Sequence, residues 1–121
     1  METYIRFQTH MREQGTSQAL GVFRAAGVVT SWPQVPDYAR EWLAESLYWF
    51  NDNLVVPHLE AADRRAIFWF RSRATTVVRR VWELVNVLRE ENVFVRLFTT
   101  TQPGRIIYAD GHQVAAIPGR R

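Results

Sequence analysis

Cysteine and lysine are both absent from this chain of 121 residues. Without a thiol there is no disulfide framework, no thiolate nucleophile and no thiolate zinc site. Without lysine there is no Walker-type phosphate loop. The missing cysteines fit a reducing compartment, so a cytoplasmic location is expected. No apolar run approaches the roughly 20 residues that cross a bilayer. The opening Met1-Glu2-Thr3-Tyr4-Ile5-Arg6-Phe7 lacks the basic and then apolar pattern of a secretory leader. Neither membrane insertion nor export is expected. Low-complexity tracts are missing too, and an apolar content of 47% with 22% charged residues places the chain among globular proteins. A single α+β domain over residues 1–121 is expected.

What is present is arginine. All fifteen cationic residues are Arg, against twelve acids. Two causes compete. A GC-rich bacterial or phage genome replaces Lys by Arg throughout, which would suit a small bacterial or mobile-element accessory protein. Alternatively, arginine is favoured on binding surfaces because it grips carboxylate and phosphate with two parallel hydrogen bonds and stacks on aromatic rings. The charge is also divided along the chain. Residues 1–63 hold four Arg and eight acids, whereas residues 64–105 hold nine Arg and three acids. The two halves either neutralise one another within the fold or leave a dipolar surface.

Hydrophobic periodicity suggests the elements. Tyr4, Arg6 and Gln8 alternate with Ile5 and Phe7, so Thr3 to Thr9 is expected to be a strand. A helix is expected from about Ser17 to Val28, capped by Thr16 or Ser17, with Leu20, Phe23 and Gly27 on one face. Pro33 and Pro36 break the chain before a second helix. That helix places Tyr38, Trp42, Leu43, Leu47, Trp49 and Phe50 on one broad side and ends before Pro57. Residues 66–70 favour a central strand, with a helix capped by Asp63 left open.

A third helix from about Ala74 to Glu91 carries the stripe Val77, Val81, Leu84 and Leu88, widened by Val78 and Val85. Asn92 suits the left-handed residue that ends it. Val93 to Phe98 is then a strand, closing a βαβ unit. Pro103-Gly104 fits a type II turn, and Asp110-Gly111 fits a type I′ hairpin with Tyr108 opposite Gln113. The expected fold is therefore a mixed sheet of about five strands in the order β-α-α-β-α-β-β-β, with three helices and a C-terminal hairpin.

Catalytic patterns are sparse. His10, His58 and His112 share no i, i+3 or i, i+4 spacing, and a zinc site wants at least three converging ligands. No serine sits in a Gly-x-Ser-x-Gly elbow. No catalytic residue, metal or cofactor is expected. Aromatics interleaved with arginine are the stronger signal, because one sheet face would carry Tyr4, Arg6, Gln8, Phe94, Arg96, Phe98 and Tyr108. The densest basic run opens strand 66–70 and the helix after it. The candidate binding residues are thus Arg6, Arg64, Arg65, Arg71, Arg73, Arg79, Arg80, Phe94, Arg96 and Tyr108. The expected function is a non-enzymatic protein-interaction or regulatory module that binds a protein partner or itself. Nucleic-acid binding through residues 64–105 is the alternative, and an enzyme acting on a small anion ranks behind both.

Overall fold

A computed structural model describes residues 1–12, 19–60 and 65–119. In chain order the elements are β1 (Tyr4–Arg12), β2 (Ala19–Gly21), α1 (Val22–Val29), α2 (Asp37–Asn53), β3 (Ile67–Arg71), α3 (Thr75–Glu90), β4 (Val95–Thr100), β5 (Arg105–Ala109) and β6 (Gln113–Ile117). The α+β class and the order of the main elements match expectation. Residues 67–71 are a strand, as the aromatic run Ile67-Phe68-Trp69-Phe70 favoured, and Asp63 lies outside the described residues.

β1 organises the sheet. Along one edge it pairs with β4 from Tyr4↔Thr100 to Thr9↔Val95. Along the other it pairs first with β3, at Tyr4↔Arg71 and Ile5↔Phe70, and then with β2, at Gln8↔Gly21 and Arg12↔Ala19. β6 follows β3, and β5 forms the far edge. Every neighbouring pair is antiparallel. The expected mixed sheet is corrected on this point. β3 and β4 do run in the same direction, as a βαβ unit requires, but β1 lies between them.

All three helices lie on one side of the sheet. α1 contacts β1, α3 contacts β4, and α2 packs on both other helices. Their meeting point is a core built on Leu43, Val81, Leu84, Val85 and Leu88, all fully buried. Phe7 enters it edge-on to Trp82 with ring centroids 4.9 Å apart, and Phe70 meets Phe23 at 5.9 Å. The odd-numbered residues of β1 therefore face the helices, and the even-numbered ones face away.

The first helix begins later than its apolar spacing suggests, because Leu20 is drawn into β2. Its buried face is Val22, Ala25, Ala26 and Val29, while Phe23 is half-buried and Gly27 exposed. The proposed caps Thr16 and Ser17 lie outside the described residues. In α2 the buried line is Ala39, Leu43, Ser46 and Phe50, and Tyr38 is exposed rather than part of the aromatic face. Arg40 is half-buried beside that line. It donates to the carbonyls of Thr30 and Trp32 at 2.8 Å and pairs with Asp37 at 2.7 Å, tying α2 to the end of α1.

α3 ends as its sequence requires. Asn92 has φ 68°, Val93 N–H donates to Leu88 O at 2.9 Å, and Asn92 N–H donates to Arg89 O at 3.0 Å. Those two bonds make a Schellman motif, completed by the buried contact region of Leu88 and Val93.

The C-terminal hairpin sets its two-residue loop one position later than expected, at Gly111-His112, closed by the Asp110 N–H donating to Gln113 O at 2.9 Å. Ala109 opposes Val114 and Tyr108 opposes Ala115, with a register shift between Ile106 and Tyr108. Gly111 has no positive φ. Instead the Asp110 carboxylate accepts the N–H groups of His112 at 2.8 Å and Gln113 at 3.0 Å, so an Asx turn replaces the type I′ turn.

Candidate functional site

With the helices confined to one side, no helix among the described residues covers the opposite face. Strand alternation places Arg6, Gln8, Trp69, Arg96 and Phe98 there, since Arg6 opposes Phe98 and Gln8 opposes Arg96. The Arg6 guanidinium lies 5.8 Å from the Trp69 ring and 5.7 Å from the Phe98 ring. Arg96 lies 5.1 Å from the same Phe98 ring on its own strand. The result is a row, Trp69, Arg6, Phe98, Arg96, running from the middle of the sheet to its β4 edge. Arg96 is exposed, and the other three are half-buried.

Neither Arg6 nor Arg96 forms an ion pair among the described residues. Burial lowers the pKa of Arg6 from its usual value, yet a guanidinium stays charged at neutral pH. Arg6 is therefore a partly desolvated cation held by ring faces rather than by a carboxylate. Beside it, the Trp69 Nε1 hydrogen is buried and has no hydrogen-bond partner among the described residues. Further along the sheet, Val114 and Ala116 are fully buried without a helix above them. Across β3 they oppose Trp69 and Ile67, and across β5 they oppose Ala109 and Ile106.

The ten candidate residues separate into groups. Arg6 and Arg96 come together in the row, and Phe94 stands exposed just before β4 on the same side. Arg71 and Arg73 do not join them, because Glu2 takes both. Arg71 Nη1 meets Glu2 Oε1 at 2.5 Å and Arg73 Nε lies 3.2 Å from Glu2 Oε2, the latter a charge contact without hydrogen-bond geometry. Arg71 also donates from Nε to Asp110 O at 2.6 Å. Arg79 and Arg80 belong to α3, on the helix side, where Arg80 lies 4.3 Å over the Trp49 ring. Arg65 is exposed ahead of β3, and Arg64 lies outside the described residues.

Tyr108 does not belong to the open face. Its partner Ala115 opposes Phe68, whose side faces the helices. The Tyr108 hydroxyl donates to Asp110 Oδ2 at 2.6 Å, which raises the phenol pKa above its usual value, with partial burial and the carboxylate charge adding to the shift. Partial burial would raise the Asp110 pKa, but the hydrogen bonds from Tyr108, His112 and Gln113 outweigh it and hold that carboxylate below its usual range. This arrangement builds a turn, not a cleft.

Sequence reasoning missed two features. Trp69 was placed in a strand but not in the site, because the partner of Arg6 depends on β3 joining β1. The second is a cavity of about 520 Å³ where β1 leaves β3 and turns to β2, walled by Phe7, Phe23, Phe50, Phe68 and Phe70. Nothing in linear spacing marks a split between two strands on one edge. His10 stands at the far end of β1, where its Nδ1 accepts the Phe94 N–H at 3.0 Å. Among the described residues no three His, Asp or Glu side chains gather as a metal site, and no helix is long and apolar enough to cross a membrane.

Compared with known proteins, the chain matches no family model, and no curated protein or solved structure is significantly similar to it. The surface must be interpreted from its own chemistry.

Proposed function

We propose that this chain is a non-enzymatic interaction module, acting in the cytoplasm, that binds a protein partner or a second copy of itself through the helix-free side of its sheet. The observation that carries this reading is the row of Trp69, Arg6, Phe98 and Arg96, whose two cations have no acidic partner among the described residues. Arginine and aromatic side chains held rigid by a sheet are the residue types that dominate protein-binding energetics. The matching partner surface carries carboxylates flanked by apolar groups. A binding role also fits the perturbed pair Tyr108 and Asp110, which serves a turn.

The test is capture of partners from host lysate by the wild-type protein and by an Arg6→Ala, Arg96→Ala double variant, with light scattering on each. A partner that wild type retains and the double variant loses supports the reading. A strict monomer that captures nothing counts decisively against it.

Nucleic-acid binding is the second reading, favoured by the same interleaving of aromatic rings with arginine, which suits base stacking beside phosphate. Titration of labelled DNA and RNA at two salt concentrations separates the two. Phosphate contacts require affinity to fall steeply with salt. No binding at low salt removes this alternative.

A further inference from the structure

The two edges of the sheet differ. β5 carries a register shift between Ile106 and Tyr108, an irregularity that discourages strand addition. β4 pairs with β1 through six consecutive residues without a bulge, and no strand among the described residues occupies its outer side. The direction of its backbone groups follows from Phe94, whose carbonyl accepts the His10 N–H at 3.0 Å. The even-numbered residues Phe94, Arg96, Phe98 and Thr100 thus turn their backbone toward β1, and Val95, Leu97 and Thr99 turn theirs outward. The Val95 carbonyl bears this out by accepting Arg89 Nη2 from outside the β1 ladder at 3.0 Å. Leu97 stands at the centre of this edge with 44% of its surface exposed, and Phe94 beside it with 65%.

We propose that β4 pairs antiparallel with β4 of a second copy about a twofold axis at Leu97, joining two sheets into one. The outward residues are symmetric about that position. Placing Leu97 opposite Leu97 sets Val95 opposite Thr99 on both sides, so all three outward backbone pairs are used. The same register puts Arg96 of each copy opposite Phe98 of the other, on the helix-free face. The row of Trp69, Arg6, Phe98 and Arg96 then continues across the axis as alternating cation and ring. No like charges oppose one another directly. Moving the axis to Arg96 would set arginine against arginine and leave Thr99 opposite Val93, whose N–H is already given to Leu88 O. The Val95 carbonyl keeps its bond from Arg89, because its second lone pair is free for the incoming Thr99 N–H. The two Arg89 contacts lie at opposite ends of the paired strands, about 14 Å apart along the chain direction, beyond a physiological screening length.

This inference rests on the interaction-module reading and names its partner as a second copy. The experiment is light scattering over a concentration series, combined with amide hydrogen exchange on the full chain. Wild type is expected to show twice the chain mass, with slow exchange at Val95, Leu97 and Thr99. Leu97→Pro removes an outward N–H without touching the β1 ladder, and Leu97→Glu sets two carboxylates face to face. Each variant is expected to fall to the mass of one chain. In Leu97→Glu the amides of Val95 and Thr99 should become fast while those of Arg96 and Phe98 stay slow, which also shows that the fold persists. Leu97→Val should remain dimeric. A wild-type monomer at every concentration, or a dimer that survives both disruptive variants, overturns the proposal. A monomer that still captures an acidic partner through Arg6 and Arg96 overturns the dimer alone; a monomer that captures nothing overturns both readings.

Discussion

Replacing Arg6 by Met separates the part of this residue that serves the fold from the part that serves binding. In the fold, Arg6 contributes two cation–ring contacts at 5.8 and 5.7 Å, near the outer limit of about 6 Å at which such contacts matter. Each is worth about 0.5 kcal/mol at that range. Against this stands the partial desolvation that lowers the Arg6 pKa. Methionine keeps an unbranched stem on both rings, gains sulfur–aromatic contact and carries no charge to desolvate. Arg6→Met should therefore change stability by less than about 1 kcal/mol, a shift of about 2–5 °C in Tm at this chain length. Arg6→Ala should lose about 1–2 kcal/mol, because the packed stem goes too. Binding behaves differently, since a desolvated arginine at the centre of a contact surface is worth at least about 2 kcal/mol, or about 30-fold in affinity. Urea unfolding with unchanged m-value and an affinity measurement on the identified partner provide both numbers. A Met variant destabilised by more than about 3 kcal/mol would show that Arg6 has a structural anionic partner. An unchanged affinity would show that the open face is not the binding surface.

Substitutions at three further positions test the fold. Gly104→Ala should cost more than about 2 kcal/mol in urea unfolding, because φ is +114° and a Cβ would lie 2.1 Å from the Ile117 carbonyl oxygen; a neutral result would refute that close approach. Asp110→Ala should cost about 1–2 kcal/mol at neutral pH by freeing two turn amides and the Tyr108 hydroxyl. The folded Asp110 pKa lies below its unfolded value of about 3.9, so this stabilisation is present above that pH and fades as pH falls through the folded value. The difference between wild type and variant should shrink in acid, and a constant difference would contradict the hydrogen-bonding account. Asn92→Val should cost about 1–2 kcal/mol at its φ of 68°, whereas Asn92→Gly should not destabilise comparably.

The helices and strands were legible where one local pattern dominated. The stripe Val77, Val81, Leu84 and Leu88 marked α3 because its four residues lie on one face of a 3.6-residue period, and all four are buried. Asn92 marked its end because few residue types tolerate positive φ. The first helix was misplaced for the opposite reason. Leu20 fits a helical stripe by spacing, but Gln8 pairs across from Gly21 and claims that segment for the sheet. The hairpin register failed because Asp110-Gly111 supports two turns of similar sequence signature. The carboxylate's two bonds to backbone amides chose between them, and a sequence shows neither bond.

The candidate site was legible by residue type and not by grouping. Alternation along β1 and β4 placed Arg6, Arg96 and Phe98 on one face. Charge density along 64–105 then drew in Arg71, which shares the face of Trp69 but is paired with Glu2, and Arg73, Arg79 and Arg80, which do not join the row. Two are taken by Glu2, and two go to the helix layer. Linear charge runs mislead here because β3 and α3 belong to different layers although they are neighbours in sequence.

The charge division along the chain becomes a division across layers. The acids of the first half concentrate on α2, where Asp37, Glu41, Glu45 and Asp52 are all exposed on the helix side. The open face carries Arg6, Arg96 and Arg71, and the acid at its margin, Glu2, is engaged by Arg71 and the Tyr4 hydroxyl. Because the helices lie between, at more than about one screening length, α2 does little to neutralise those arginines. Among the described residues the acidic first half and the basic second half form ion pairs with each other only at Glu2. An acidic partner should associate with the open face faster at low salt than at high salt. Glu41→Gln with Glu45→Gln should leave its affinity within about twofold, while Arg96→Gln should weaken it and flatten the salt dependence. Equal effects from both substitutions would mean that the partner senses net charge rather than this face.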